Sequence, residues 1–278
     1  MPIDARETLR TAADDLASAR GVVLYVVFLL FALASLPIHQ TLTQQMTQWF
    51  IEVADVPPDQ IALPTTPLAL DVDPIVLVGG LAAIFVVAEL LRVLAIRSFA
   101  STATDAIPMD EITTGGIRTL LVLLAASVIV QALVYGGLVL FIIPGLIFAV
   151  LTLFVRQAVL LGDAGVVGSI KESIGIVVDE TVPVILLLAA VFVLSFVVGI
   201  PTTLLNPELV VTPIASVIFG TIVTVYGVAV FTRAYQQAGT EDAENGDGGT
   251  VGDALGPDDI DGGTFDGEGS ADDATTND

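Results

Sequence analysis

Apolar residues gather into six runs, at 21–38, 74–96, 117–135, 138–161, 182–200 and 210–232. Each is close to the roughly 20 residues that a helix needs to cross a hydrocarbon core about 30 Å thick. Strands of a membrane barrel would instead alternate apolar and polar side chains over about ten residues, and the chain has no such alternation. The runs predict an all-α fold, a polytopic membrane helical bundle of about six transmembrane helices within residues 21–236. A polar N-terminal segment, 1–20, precedes the first span, and an acidic tail, 237–278, follows the last.

The connections carry their own signals. Residues 39–73 form the longest, an outer loop with Pro57, Pro58, Pro64 and Pro67; in it Met46, Trp49, Phe50 and Val53 recur at helical spacing. That spacing predicts a short amphipathic helix resting on the outer membrane surface, its Trp near the headgroups. Tyr135-Gly136-Gly137 leaves room only for a tight turn, so the third and fourth spans should be a hairpin. Pro144 and Gly145 are the candidate kink of the fourth span, because proline removes a backbone hydrogen bond. In the third span, Gln131 is expected to hydrogen-bond to a neighbouring helix. Between the fourth and fifth spans, 163–180 reads as a helix in the cytoplasmic interface. Val166, Val167, Ile170, Ile174, Val177 and Val178 make one stripe, with Ser169, Lys171, Glu172 and Ser173 facing away.

Charge sets the orientation. With the N-terminus in the cytoplasm, Arg6, Arg10, Arg20, Arg92, Arg97, Arg118, Arg156, Lys171 and Arg233 all fall in cytoplasmic segments or at cytoplasmic span ends. The outer connections hold none of these bases but do hold Glu52, Asp55, Asp59, Asp71, Asp73 and Glu208. An even number of spans returns the C-terminus to the cytoplasm, giving a multi-pass protein of the cell membrane. Ala32-Leu33-Ala34 resembles a signal-cleavage site, but the 20 residues before Gly21 include Asp4, Glu7, Asp14 and Asp15, a poor basic leader.

Composition sharpens this. The chain has 278 residues, 54% hydrophobic and 14% charged, with a mean hydropathy of +0.88, outside the range of ordinary soluble domains. Net charge is −22, and 13 of the 31 acids lie from Glu241 onward, where no Lys or Arg occurs. A tail so rich in Gly, Asp, Glu, Thr and Ala cannot offset its ordering entropy, which predicts disorder. The rest of the chain still carries twice as many acids as bases, a haloarchaeal style in which carboxylates keep surfaces hydrated in a high-salt interior. Without a basic patch there is no surface for nucleic acid. The partners expected are the lipid bilayer and other membrane proteins.

Chemistry is sparse. With no cysteine and one histidine, His39, the chain offers no disulfide, thiolate nucleophile or Cys/His zinc site. It has no nucleophile elbow, phosphate-binding loop or paired His metal motif in a fitting context. No catalytic, cofactor-binding or metal residues are assigned. Charges inside a membrane are costly and each needs a partner or a route to water. Glu89, Arg92, Arg118 and Arg156 are therefore the candidate intramembrane polar cluster. One reading makes them a cytoplasm-facing vestibule for an anionic substrate or protons; the plainer one is snorkelling plus one ion pair.

The stretch Leu138 to Glu180, with Pro144 and Gly145, the acidic turn Gly162-Asp163, and then Ser169, Lys171 and Ser173, resembles the membrane domain associated with glycerophosphodiester phosphodiesterases and related uncharacterised six-helix membrane families. The resemblance implies a membrane part without catalytic residues, and a lipid-related role only by fold-level analogy. The first expectation is a non-enzymatic scaffold or accessory of envelope or lipid processes. A transporter or channel for a small solute or lipid, using the kinked fourth span, is the alternative; a metal-dependent membrane enzyme, built on converging outer-face carboxylates, is the second.

Overall fold

The structure is a computed structural model and describes residues 3–55, 57, 64–101, 116–162, 164–203 and 211–244. It is all-α among these residues: α1 (Ala5–Ala17), α2 (Ala19–Ala54), α3 (Pro74–Ala100), α4 (Gly116–Leu140), α5 (Ile142–Leu151), α6 (Val155–Leu161), α7 (Val166–Asp179), α8 (Thr181–Thr203) and α9 (Val211–Glu244). Six stretches are long and apolar enough to cross a membrane: α2, α3, α4, the pair α5 and α6 together, α8 and α9. They follow the six sequence runs in order. Residues 1–241 form one compact unit and 242–278 a separate one, of which only 242–244, the end of α9, is described. The acidic tail from 245 onward lies outside the described residues. Its first residues, from Gln237, belong to α9 rather than to a tail.

The first helix turns into the first span at Ser18, whose extended backbone ends α1 and starts α2. Its hydroxyl donates to Asp15 O (2.6 Å) and accepts from the Gly21 N–H (3.2 Å), so one side chain serves both helix ends. Glycine at 21 is obligatory here, because a Cβ would stand 2.2 Å from Asp15 O.

Three expectations change. Residues 39–54 are not a separate surface helix but the continuation of α2, a rod of 36 residues and about 54 Å long. The returning segment is fastened along its side: Gln40 Oε1 accepts from Leu68 N (2.7 Å), Thr41 Oγ1 accepts from Leu70 N (2.8 Å), and Gln45 Nε2 donates to Val72 O (3.2 Å). Because α2 can bond its polar side chains to the returning strand of loop, the helix has no reason to stop at His39. Met46, Trp49, Phe50 and Val53 remain an exposed stripe on that rod, while Pro58 and Asp59 lie outside the described residues.

Second, the hairpin does not turn at Gly136 and Gly137, which lie inside α4. It turns at Phe141, whose backbone is extended (φ −156°, ψ 132°). The glycine at 137 is a contact instead: a Cβ there would lie 2.7 Å from Gly145 Cα, so the two helices touch backbone to backbone. Third, Pro144 does not kink the fourth span. It occupies the first turn of α5, where its missing N–H has no helical partner to lose. The span breaks further on, at Thr152–Phe154, between α5 and α6.

The main core gathers Leu24, Phe99, Phe154, Leu187, Val225 and Ala229 from α2, α3, α8, α9 and the break in the fourth span. A second cluster, with Ile96, Leu123, Val155 and Val159, joins α3, α4 and α6.

Candidate functional site

The break in the fourth span begins with local bonding. Thr152 N–H and Oγ1 both bond back to Phe148 O (3.0 and 2.6 Å), Leu153 N–H shifts to Val150 O (3.2 Å), and Val155 N–H to Thr152 O (3.3 Å). This tightened turn leaves the Leu151 carbonyl and the Phe154 N–H without helical partners. Ser173, from α7, fills both roles: its hydroxyl donates to Leu151 O (2.8 Å) and accepts from Phe154 N (3.0 Å). Irregular backbone at membrane depth persists where protein re-satisfies it, as here. The orientation expected for α7 is thereby corrected. Ser169 and Ser173, expected to face away, are fully buried against the bundle together with Val177 of the stripe, and Val166 and Ile170 pack on the second cluster, while Val167 and Val178 are exposed; the small hydroxyl residues admit close approach and Ser173 bonds to the broken span.

The break brings Arg156 to the start of α6, beside α3. There Glu89, fully buried, accepts from Arg92 Nη1 (2.6 Å) one turn along the same helix. It also accepts from Arg156 Nε at Oε2 and Nη2 at Oε1, both at 3.1 Å. The second contact is a two-pronged guanidinium–carboxylate pair, which fixes geometry as well as charge. Three of the four residues expected to cluster thus meet. Arg118 does not join them; it is exposed at the start of α4 and makes no ion pair among the described residues. With one carboxylate against two guanidiniums, the group carries one unbalanced positive charge.

Beside this group is an open cavity of about 300 Å³ lined by α3, the break, α6, α8 and α9. Arg92, Arg156, Gln157 and Thr224 supply its polar lining; Ile96, Val191, Val223 and Phe231 are among its apolar walls. Gln157 is 5% exposed, and its Oε1 has no hydrogen-bond partner among the described residues. A buried amide left this way is uncommon and costs about 1–3 kcal/mol. Gly227 lines the cavity too, and a Cβ on it would meet only Val191 at 3.8 Å.

A second polar node escaped the sequence reading. Asp15, at the end of α1, accepts from Arg20 Nη2 (2.6 Å) of α2 and from Arg233 Nε and Nη2 (2.7 and 3.0 Å) of α9. Arg20 also donates to the carbonyls of Ser98 (2.8 Å) and Ser101 (3.1 Å) at the end of α3, and Gln236 donates to Ala100 O (3.0 Å). Asp4 N and Thr8 Oγ1 both donate to Gln237 Oε1 (3.1 and 3.0 Å). The node ties four helices at one end of the bundle. Its partners lie up to 233 positions apart, so spacing alone held no signal, although an acid and a base placed at span ends on the same side did.

The other singled-out residues are ordinary in their settings. Gln131 is half-buried and its side chain makes no hydrogen bond among the described residues, against expectation. His39 Nδ1–H bonds to Ser35 O (2.9 Å) on its own helix. Lys171 is exposed on α7, and its neighbour Glu172 accepts a hydrogen bond from the Tyr235 hydroxyl of α9. Among the described residues no three His, Asp or Glu side chains converge as a metal site would require; Asp59, Asp163 and Glu208 lie outside them.

No curated protein and no solved structure matches the chain. One family does: residues 3–238 match the domain of unknown function DUF7847, and with most of its length so covered the chain belongs to that family.

Proposed function

We propose that this protein is a non-enzymatic, multi-pass component of the cell membrane that binds small anionic groups in the cavity beside Arg92 and Arg156, as an accessory of envelope or lipid processes. The observation that carries this is one fully buried carboxylate shared by two guanidiniums on the wall of a cavity. A structural ion pair needs only one arginine; the second leaves a net positive charge facing a space large enough for a ligand. The termini are cytoplasmic in this reading, because every Lys and Arg then lies inside. The acidic surplus suits a high-salt interior.

The test is thermal unfolding of the purified full-length protein in detergent with dimethyl phosphate, a tail-free monoanionic diester. A ligand that binds only the folded state raises the melting temperature. Wild type should be stabilised and Gly227→Leu, which fills the cavity, should not; no shift in wild type refutes the reading. Orientation is checked separately with single cysteines, for which the chain is already a cysteine-free background. Labels at Lys171 and Arg6 should react from one side and a label at Trp49 from the other.

Transport is the second reading, favoured by one observation: the fourth span is discontinuous next to the cavity, as helices around midplane transport sites are.

A further inference from the structure

The class of ligand follows from how charge and apolar surface are combined in this cavity, an inference that rests on the anion-binding reading above. The guanidiniums of Arg92 and Arg156 face the single carboxylate of Glu89, so the site is balanced by one negative charge and left unbalanced by two. The walls are otherwise mostly apolar, with Ile96 and Phe231 among them; a freely soluble anion gains nothing from such surface. Arg92 stands eight residues before the end of α3, about 12 Å along the axis, so a headgroup held there is drawn well into its leaflet. Thr224 lines the cavity yet is exposed. It lies inside the apolar stretch Val211–Gly239, so the cavity has an edge on the hydrocarbon, where a ligand's tails can lie. Gln157 lines the cavity and its Oε1 is buried and unbonded, so a turn of the amide toward the cavity would present an acceptor to a hydroxyl on the ligand.

We infer that the cavity holds the headgroup of a monoanionic lipid, a phosphodiester bearing a hydroxyl, with its tails leaving past Thr224. The phosphodiester takes hydrogen bonds from Arg92 and Arg156, and the headgroup hydroxyl donates to Gln157.

The experiment is native mass spectrometry of the full chain released from nanodiscs of equal parts phosphatidylglycerol and phosphatidylcholine. Both lipids offer the phosphodiester to the arginines, but phosphatidylcholine lacks the headgroup hydroxyl and carries a trimethylammonium beside a site already positive, so phosphatidylglycerol should be retained about tenfold over it. Gly227→Leu should abolish that preference, and Gln157→Leu should cut it several-fold; the second substitution replaces an unbonded amide and so does not depend on the first one folding. Equal retention of the two lipids, while dimethyl phosphate still stabilises the protein, overturns the lipid assignment and leaves the anion site standing. Equal retention with no effect of dimethyl phosphate overturns both. A preference that survives both substitutions places the lipid on the outer surface and also overturns the inference.

Discussion

Ser173 gives Phe154 the hydrogen bond that its own helix withholds: the hydroxyl accepts from the Phe154 N–H at 3.0 Å while donating to Leu151 O. The broken span is therefore completed by a residue of the following helix. Ser173→Ala would orphan two buried backbone groups, a loss of about 1–3 kcal/mol for each. The melting temperature in detergent should fall clearly for Ser173→Ala; an unchanged value would mean the break needs no such support.

The hairpin offers a paired test. A methyl on Gly137 would meet Gly145 Cα at 2.7 Å, whereas one on Gly136 would meet nothing within 4 Å. Gly137→Ala should lose about 1–3 kcal/mol through overpacking, and Gly136→Ala should be neutral or slightly stabilising because alanine is the better helix former. Equal effects from the two, measured by thermal unfolding, would contradict the close crossing of α4 and α5.

Asp15 and Arg233 couple the first helix to the last. Their side chains are 9% and 23% exposed; removing Arg233 still leaves Asp15 paired with Arg20, whereas removing Asp15 strips two arginines of their carboxylate and should cost more, about 3–5 kcal/mol. A double-mutant cycle with Asp15→Asn and Arg233→Gln should give a coupling energy above about 1 kcal/mol. Additive effects would reduce the contact to a surface ion pair. Protease sensitivity of α1 should rise in either single variant.

Glu89→Gln separates stability from binding. Two guanidiniums lose their counter-charge, so the protein should be less stable, by about 3–5 kcal/mol. The cavity meanwhile gains a second unbalanced positive charge. Sulfate, a dianion, should stabilise the variant more than it stabilises wild type; an equal gain in both would show that Glu89 does not set the charge of the site.

The spans were legible because hydrocarbon thickness imposes a length that no other environment demands, and all six runs are helices. What the runs could not show is where helices bend or end. Pro144 looked like a kink, yet its place in the first turn of α5 makes it harmless; the real break, at Thr152–Phe154, depends on Ser173 from another helix. Likewise α2 overran its apolar stretch because Gln40, Thr41 and Gln45 found partners in a loop some thirty residues on. Of the candidate cluster, Glu89 and Arg92 were readable from i, i+3 spacing and Arg156 from its cost in the membrane. Gln157, the residue that gives the cavity its unspent acceptor, was hidden because a single amide beside an arginine reads as a polar span end.

The contact between Asp15 and Arg233 also orders events during synthesis. Arg233 is among the last bundle residues to leave the ribosome, so the carboxylate of Asp15 has no final partner until the sixth apolar stretch has entered the bilayer. Until then α1 has Arg20 of α2 and, through Ile3 N–H, the Glu180 carboxylate (3.3 Å), but none of its bonds to α9. A nascent chain truncated before α9 should therefore insert its earlier spans yet hold its amino-terminal helix less firmly, making the final locking of that end a step that follows translation.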